Sequence, residues 1–199
     1  KITDKPLQVQ QRVFYVHQAN IHQGLSHAVE QGLVAEELAI LQCLAMYALN
    51  SLAFAEAWQR FEELAKRCHA QGWEENEAGA LHQLGRVAQE AGDLPKAREW
   101  YLKSLEINER RNNEADAAKT YHQLGRVAQD EGDLSKAREW YLKSLEIEER
   151  RGNEAGAATT YHQLGMVAQH EGDLPKAREW YLKSLEISER SGEIGRAHV

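Results

Sequence analysis

The sequence has few of the residues that build disulfide, metal or membrane-spanning structures. Only two of its 199 residues are cysteines, Cys43 and Cys68, and neither lies in a CxxC motif or a histidine-rich stretch. We interpret them as reduced, buried thiols of a cytoplasmic protein, with a disulfide or a metal pair as the alternative. No apolar run approaches the roughly 18 residues that a bilayer-spanning helix needs, so no membrane partner is predicted.

Catalytic motifs are missing as well. The sequence contains no phosphate-binding loop, no GxSxG and no HExxH, and its acidic residues accompany Lys and Arg as on solvated helix surfaces. We therefore predict no enzymatic activity and no cofactor. The net charge is −7, and an acidic array repels phosphate backbones, so nucleic acid is not an expected partner.

What the sequence does contain is a forty-residue unit that recurs almost unchanged. Residues 121–152 and 161–192 differ at five of 32 positions, and residues 81–112 and 121–152 differ at six. The three copies share a tryptophan at the same place: Trp100, Trp140 and Trp180. A fixed period of roughly 20–50 residues indicates stacked repeats, in which each unit contacts only its neighbours and an extended curved surface is the usual binding part.

Each unit reads as two helices. In the first full copy, Leu81 and Leu84 belong to an apolar set spaced three or four residues apart, which predicts one buried helical face. Gly92 then ends the first helix, Asp93 caps the second, and Pro95 lies in its first turn. The second helix directs a larger set inward: Leu94, Ala97, Trp100, Tyr101, Ser104, Leu105. Gly132-Asp133 and Gly172-Asp173 repeat the turn.

A fainter copy precedes these three. Leu41, Leu44 and Phe61 keep the register, but Leu52 and Ala53 replace the Gly-Asp turn, so this hairpin is expected to be less sharply defined. We predict four repeats, at residues 35–72 (degenerate), 73–112, 113–152 and 153–192. Residues 1–34 form an N-terminal helical cap or the end of a preceding domain, with these apolar positions: Val13, Phe14, Val16, Ile21, Leu25, Ala28.

The repeat pattern fails after Gly192. Residues 193–199 end in the string IGRAHV, which resembles a translated sequencing adapter rather than another repeat. We interpret residues 193–199 as a non-native tail and expect the natural protein to continue with more repeats. The chain also starts at Lys1, so the lack of a signal peptide says little about targeting.

These units resemble the tetratricopeptide repeat. The small, Ala, aromatic and small residues of that pattern are Gly85, Ala97, Tyr101 and Ser104. The later copies supply Gly125, Ala137, Tyr141, Ser144 and Gly165, Ala177, Tyr181, Ser184. The resemblance implies an all-α, right-handed superhelical solenoid of helix-turn-helix repeats, in which the tyrosine fills the gap between units. Glu109 stands where the family usually has proline, and such long units resemble those of kinesin light chains and bacterial multidomain proteins.

The resemblance also implies where a partner would bind, because the first helices of this family line a concave groove. We carry over its groove positions to this chain residue by residue: His82, Gln83, Arg86, Gln89, Lys119, His122, Gln123, Arg126, Gln129, His162, Gln163, Gln169. Amide side chains can form hydrogen bonds with a peptide backbone, and an arginine guanidinium can donate two parallel hydrogen bonds to one carboxylate. The Lys and Asn set with which some members clamp a terminal carboxylate is not present here.

The hypothesis that follows is a scaffold or sensor array that binds a protein or peptide segment in the groove. The alternative is a solvated inner face without a ligand. A second hypothesis is the ligand-sensing arm of a signalling ATPase or of a repeat-linked protease. The segment Phe14–Ile21 resembles the helical link between a nucleotide-binding module and its repeat sensor in bacterial signalling ATPases of the STAND class. A third is self-association through the exposed terminal repeat.

Variation among the copies is concentrated in two places. One is the groove, and the other is the end of the second helix, where one copy has Glu148 and the next has Ser188 at the equivalent position. We expect this pattern if packing constrains the core residues while the surface residues vary freely. It would also follow if the groove residues of each copy are adapted to a ligand. The repeated histidines belong to neighbouring units and are too far apart to converge on zinc, and the tryptophans are expected to pack rather than bind a ligand.

Overall fold

A computed structural model describes residues 20–197, with side chains through residue 190. Every regular element in this range is an α-helix: α1 at residues 20–30, then α2 (Val34–Asn50), α3 (Phe54–Ala70), α4 (Glu74–Glu90), α5 (Leu94–Arg110), α6 (Glu114–Asp130), α7 (Leu134–Arg150), α8 (Glu154–His170) and α9 (Leu174–Ala197). None of the described helices is both long and apolar enough to cross a membrane. The predicted apolar positions Val13, Phe14 and Val16 lie outside the described residues.

Short turns of one design separate α2 through α9. At the α6–α7 turn, Gly132 has a φ of 82°, and the N–H of Asp133 donates to the Ala128 carbonyl at 2.9 Å. The Asp133 side chain then accepts a bond from the Lys136 N–H at 2.9 Å, which satisfies one of the open donors at the start of α7. The predicted Gly-Asp turn is therefore confirmed, and the division of the chain into four repeats stays a prediction.

The turn between α2 and α3 has Leu52 and Ala53 in place of the Gly-Asp pair. Leu52 adopts a φ of 59°, in the left-handed region that Gly132 also occupies. The N–H of Ala53 donates to the Ala48 carbonyl at 2.9 Å, as Asp133 does in its own turn. The hairpin lacks a side-chain cap, since Ala53 makes no such bond to α3, but its backbone turn is as well defined as the turn at Gly132. Packing of both helices imposes this turn on a residue that disfavours it.

Leu52→Gly is expected to raise the free energy of unfolding by about 1 kcal/mol. A left-handed conformation costs a residue with a Cβ roughly 1–2 kcal/mol, and glycine adopts it freely. The Leu52 side chain is 68% exposed, so little packing is lost. The matched reverse variant is Gly132→Leu, which has a φ of 82° and open space around the added Cβ, and it should lose a similar amount. Urea unfolding that shows no gain for Leu52→Gly would contradict this account.

The chain divides into two compact units, residues 1–100 and 101–199. In the first unit α3 packs against both α2 and α4. Leu44, Ala45 and Phe61 are each at most 2% exposed and lie in its core. Cys68 is buried as predicted, and burial raises the pKa of its thiol, but Cys43 is exposed, which corrects the prediction of two buried thiols.

In the second unit α6 packs on α7, α7 on α8, and α8 on α9. The Tyr141 ring is fully buried and lies directly on Gly125 of the same hairpin, where an added Cβ would meet ring carbons at 2.6 Å. The Ser144 hydroxyl donates to the Ala118 carbonyl at 2.9 Å and ties the two helices together. Tyr141 also shares a core cluster with Tyr161 of the following hairpin, so it fills space within its own hairpin as well as between hairpins.

The tryptophans of this unit pack as predicted. Trp140 and Trp180 are partly buried against the core cluster. The ammonium groups of Lys136 and Lys143 lie 4.8 and 4.7 Å from the Trp140 ring centre, and Glu139 bonds Lys136 at 2.8 Å. Such cation–π contacts stabilise the outer surface of the second helix.

The end of the second helix is a buried polar junction, not a drifting surface. Glu148 is 6% exposed, and the Asn153 amide donates to its carboxylate. At the equivalent place one unit earlier stands buried Asn108, and Asn113 donates instead to the Asp116 carboxylate at 2.9 Å. The carboxylate that accepts the asparagine bond thus comes from the end of the second helix in one copy (Glu148) and from the following first helix in the other (Asp116). Where α7 supplies it, α8 has glycine, because a Cβ on Gly156 would lie 2.6 Å from the Glu148 carboxyl group.

A double-mutant cycle tests this exchange. Gly156→Asp alone is expected to lower the free energy of unfolding by about 2 kcal/mol, since it crowds a second carboxylate against the buried Glu148 carboxylate. Adding Glu148→Asn rebuilds the arrangement that residues 108–116 already have, so the double variant should recover most of the loss. Urea unfolding of the wild type, both single variants and the double variant gives the coupling energy. Additive effects would contradict the exchange.

Candidate peptide-binding surface

The predicted groove residues lie on three first helices, four on α4, five on α6 and three on α8. Helix α4 belongs to the first compact unit, and α6 and α8 belong to the second. We call the set on α6 and α8 the α6/α8 face: Lys119, His122, Gln123, Arg126, Gln129, His162, Gln163, Gln169. The set is divided between two neighbouring hairpins, and one of its members, His122, contacts Thr160 on α8. The α4 set is described by itself.

On α4 the arginine and a glutamine form a local pair. The Arg86 guanidinium donates to the Gln83 amide oxygen at 3.1 Å and reaches the Glu90 carboxylate at 3.5 Å. His82 and Gln89 are half-buried on the same helix. The pair leaves the Gln83 NH2 group and the remaining guanidinium donors for an external acceptor.

Helix α6 repeats this pair in a more open setting. Arg126 is exposed and donates to the Gln123 amide oxygen at 3.3 Å. Because arginine has only hydrogen-bond donors, its partner must be the oxygen of the Gln123 amide. The contact therefore fixes the orientation of this amide and occupies its oxygen. Lys119 is bonded to Asp116 of its own helix at 2.8 Å, so its charge is partly compensated.

Two tyrosines, one buried and one half-buried, orient the glutamines at the ends of α6 and α8. The Tyr141 hydroxyl donates to the Gln129 amide oxygen at 3.1 Å, and the Tyr181 hydroxyl donates to that of Gln169 at 2.9 Å. Burial raises the pKa of Tyr141 above its ordinary value, so its hydroxyl keeps its proton at neutral pH. The amide oxygen of each glutamine therefore accepts a bond from a tyrosine, and its two N–H donors remain for another acceptor.

His122 belongs to the contact between the two helices. Its Nδ1 lies 3.2 Å from the Thr160 hydroxyl on α8, and its ring centre is 5.3 Å from that of Tyr141. Burial, with a further contribution from the positive charge of Arg126, lowers the pKa of His122 to about 4. His122 is thus neutral and positions α8 against α6. His162 holds the equivalent place on α8 but is exposed.

Sequence reasoning missed Thr160, which is the partner of His122 and only 1% exposed. The preceding residue, Thr159, is exposed. The available sequence signal was the recurrence of threonine at residues 120 and 160, directly before Tyr121 and Tyr161 in the last two copies.

The chemistry of the α6/α8 face is that of a hydrogen-bond donor surface. Arg126 and the amide nitrogens of Gln123, Gln129 and Gln169 offer N–H groups, and the amide oxygens of these three glutamines are already engaged. Such a surface suits carboxylates and backbone carbonyls. Across the described residues no group of three or more His, Cys, Asp or Glu side chains could hold a metal ion.

Comparison with known proteins defines the class. Family models described as tetratricopeptide repeat match residues 76–150 and 157–191. Among solved structures, the chain is similar to BtubC (BKLC) from P. vanneervenii, with a TM-score of 0.82 and 22% identity over 94% of this chain and 78% of that one. It is also similar to a Podosopora anserina putative kinesin light chain with nearly identical TPR-like repeats, with a TM-score of 0.68 and 19% identity over 94% and 96%.

A third similar structure is the apo form of RapI, with a TM-score of 0.76 and 18% identity over 87% of this chain and 49% of that chain. No curated protein matches the sequence. The fold is an all-α solenoid of stacked helix-turn-helix units, as predicted. The chain belongs to the tetratricopeptide repeat family. Repeats of this family generally mediate protein–protein interactions, and the fold is typically a non-enzymatic scaffold.

Proposed function

We propose that the chain is a scaffold that binds an extended segment of another protein on the first helices of its repeats, and that the segment is rich in carboxylates or in exposed backbone carbonyls. The orientation of the glutamines carries this proposal, because Tyr141 and Arg126 hold the amide oxygens and leave the donors for the ligand.

Preorganisation supports the proposal energetically. The Gln129 and Gln169 amides are held by hydroxyls of buried or half-buried tyrosines, so less side-chain freedom is lost when a ligand binds. Arg126 adds a charge-assisted contact, which is roughly twice as strong as a neutral hydrogen bond. The chain's net charge of −7 opposes an acidic partner at long range, so we expect binding to depend on these local contacts rather than on steering.

Peptide selection tests the proposal. Random peptides displayed on phage are selected against the whole chain, and the affinity of the selected peptides is measured by fluorescence anisotropy. We expect the selected set to be enriched in Asp and Glu, and the double variant Arg86→Glu/Arg126→Glu to weaken binding by about tenfold or more, since two donors become repelling carboxylates.

A matched charge reversal serves as the control. Arg178 lies on the second helix α9 and is exposed. Arg178→Glu changes the net charge like each groove reversal but lies outside the α6/α8 face, so the same peptides should bind it as they bind the wild type. Peptides that ignore the Arg86 and Arg126 reversals, or that lose binding equally with Arg178→Glu, would refute the proposal.

Two other hypotheses stay predictions from the sequence. The signalling ATPase or protease arm depends mainly on the segment Phe14–Ile21, most of which lies outside the described residues, and upstream coding sequence with a phosphate-binding loop would support it. Self-association would appear as a concentration-dependent mass in sedimentation velocity, whereas a constant mass would exclude it.

A further inference from the structure

The two first helices of the second compact unit differ at one position of the groove. Arg126 on α6 is exposed, and forty residues later α8 has the half-buried Met166 at the equivalent place. The glutamines three residues to either side of this position are the same in both helices: Gln123, Gln129, Gln163, Gln169. Residues three apart are neighbours on a helix surface, so Met166 lies on the same side of α8 as its glutamines. The surface thus repeats its amide groups and exchanges a charged group for an apolar one.

Direct contact between α6 and α8 sets the distance between equivalent positions. The Nδ1 atom of His122 on α6 lies 3.2 Å from the hydroxyl of Thr160 on α8. The axes of helices that touch in this way are about 8–10 Å apart. Arg126 and Met166 therefore follow each other across the surface at a step of about 10 Å.

This step restricts the conformation of a ligand that uses both positions. In a β-strand, side chains on one side are separated by about 7 Å after two residues and by about 13 Å after four, and neither distance matches. A polyproline II helix has three residues per turn, so every third side chain returns to the same side after about 9 Å. An α-helix returns to nearly the same side after seven residues and about 10 Å. The step therefore leaves polyproline II and the α-helix.

The glutamines distinguish between these two conformations. The amide oxygens of Gln129 and Gln169 accept bonds from the Tyr141 and Tyr181 hydroxyls at 3.1 and 2.9 Å, so their N–H groups need acceptors on the ligand. The backbone carbonyls of an α-helix are occupied by bonds within the helix. A polyproline II segment has no internal hydrogen bonds, and its carbonyls are open to a donor. The donor surface therefore favours polyproline II.

We propose that the α6/α8 face, together with Met166, binds a polyproline II segment of a partner protein that carries an acidic and an apolar residue three positions apart. The acidic side chain lies on Arg126, which donates charge-assisted bonds to its carboxylate. The apolar side chain lies on Met166, whose flexible thioether adapts to different apolar shapes. The glutamine amides donate to the backbone carbonyls. This inference rests on the proposed function and adds to it the conformation and the residue spacing of the ligand.

Six fluorescently labelled peptides of equal composition test the spacing. Each has one Glu and one Leu in a frame of prolines, separated by two, three or four positions, in both orders; PPEPPLPP and PPLPPEPP are the pair with a separation of three. Binding to the whole chain is measured by anisotropy. One peptide of this pair should bind about tenfold more tightly than any peptide with a separation of two or four, because it alone gains the contact of a charged group with its carboxylate and the apolar contact together.

Exchanging the two side chains tests the assignment of each one. The double variant Arg126→Met/Met166→Arg keeps the composition and net charge of the chain, and the new arginine stands three residues after Gln163 as Arg126 does after Gln123. Both residues favour helices, so circular dichroism should be unchanged. The variant should reverse the preference of the wild type and bind the other order of the pair more tightly.

The outcomes separate this inference from the proposed function. If Arg126→Glu weakens all six peptides but spacing and order have no effect, or if the exchange variant keeps the preference of the wild type, the inference is overturned and donor binding on the first helices stands. The inference also fails if an alanine-rich helical peptide with Glu and Leu seven positions apart binds more tightly, or if only the phage-selected peptides bind. If neither those peptides nor the six bind, both proposals are wrong.

Discussion

Gly125→Leu is expected to lower the free energy of unfolding by about 3 kcal/mol, near the upper end of the cost of overpacking a core. The Cβ alone would lie 2.6 Å from two carbons of the Tyr141 ring, and the ring is fully buried and cannot move aside. Either the hairpin opens, or Tyr141 leaves the cluster that it shares with Leu145 and Tyr161. Urea unfolding followed by circular dichroism measures the loss.

Gly79→Leu is the matched control for this variant. Gly79 is also in the interior of a first helix, but nothing lies within 4 Å of the Cβ that it would gain. Because leucine favours a helix by almost 1 kcal/mol over glycine, this variant should be unchanged or slightly more stable. Equal destabilisation by both leucines would mean that close helix contact at Gly125 does not hold the hairpin together.

The chain is expected to lose about 3 kcal/mol of stability through His122 as the pH falls from about 6.5 to about 4. Burial lowers the pKa of His122 to about 4 in the folded chain, so in this window the unfolded chain binds the proton and the folded chain does not. Stability is therefore complete above pH 6.5 and falls by up to about 1.4 kcal/mol per pH unit below it. Below about pH 4 the contribution of His122 no longer changes.

His122→Asn isolates this contribution. An asparagine amide can take the place of Nδ1 beside the Thr160 hydroxyl, which lies 3.2 Å away, but it does not titrate. The variant should have a shallower fall in unfolding free energy between pH 6.5 and 4, measured by urea unfolding at a series of pH values. A slope equal to that of the wild type would show that His122 is not held neutral by its burial.

The sequence predicted the parts of this fold that depend on local chemistry. Period, helix type and the Gly132-Asp133 turn follow from residue preferences that act over a few positions. Leu52 shows the limit of such reasoning, because tertiary packing imposes a φ of 59° that local preference opposes. The exchange between Glu148 and Asp116 is also hidden in the sequence, since one acid lies at the end of a second helix, the other at the start of a first helix, and each serves a different junction between units.

The candidate site was predictable in position but not in orientation. The family register placed Gln129 and Arg126 on one surface, yet only the contacts reveal that Tyr141 and Arg126 use up the glutamine oxygens. The sequence also does not reveal which apolar side chains are buried by a neighbouring hairpin. Leu145 is only 5% exposed because it shares a core cluster with Ala157 and Tyr161 of the following hairpin, a contact that its own neighbours in sequence do not reveal.

The most direct measurement of the central claim is an NMR titration of the whole chain with one peptide from the selected set. The side-chain amide signals of Gln123, Gln129 and Gln169 and the guanidinium signal of Arg126 should shift together with peptide concentration, while the indole signals of Trp140 and Trp180 on the second helices stay in place. Shifts at the tryptophans without shifts at the glutamines would contradict a donor surface on the first helices as the binding site.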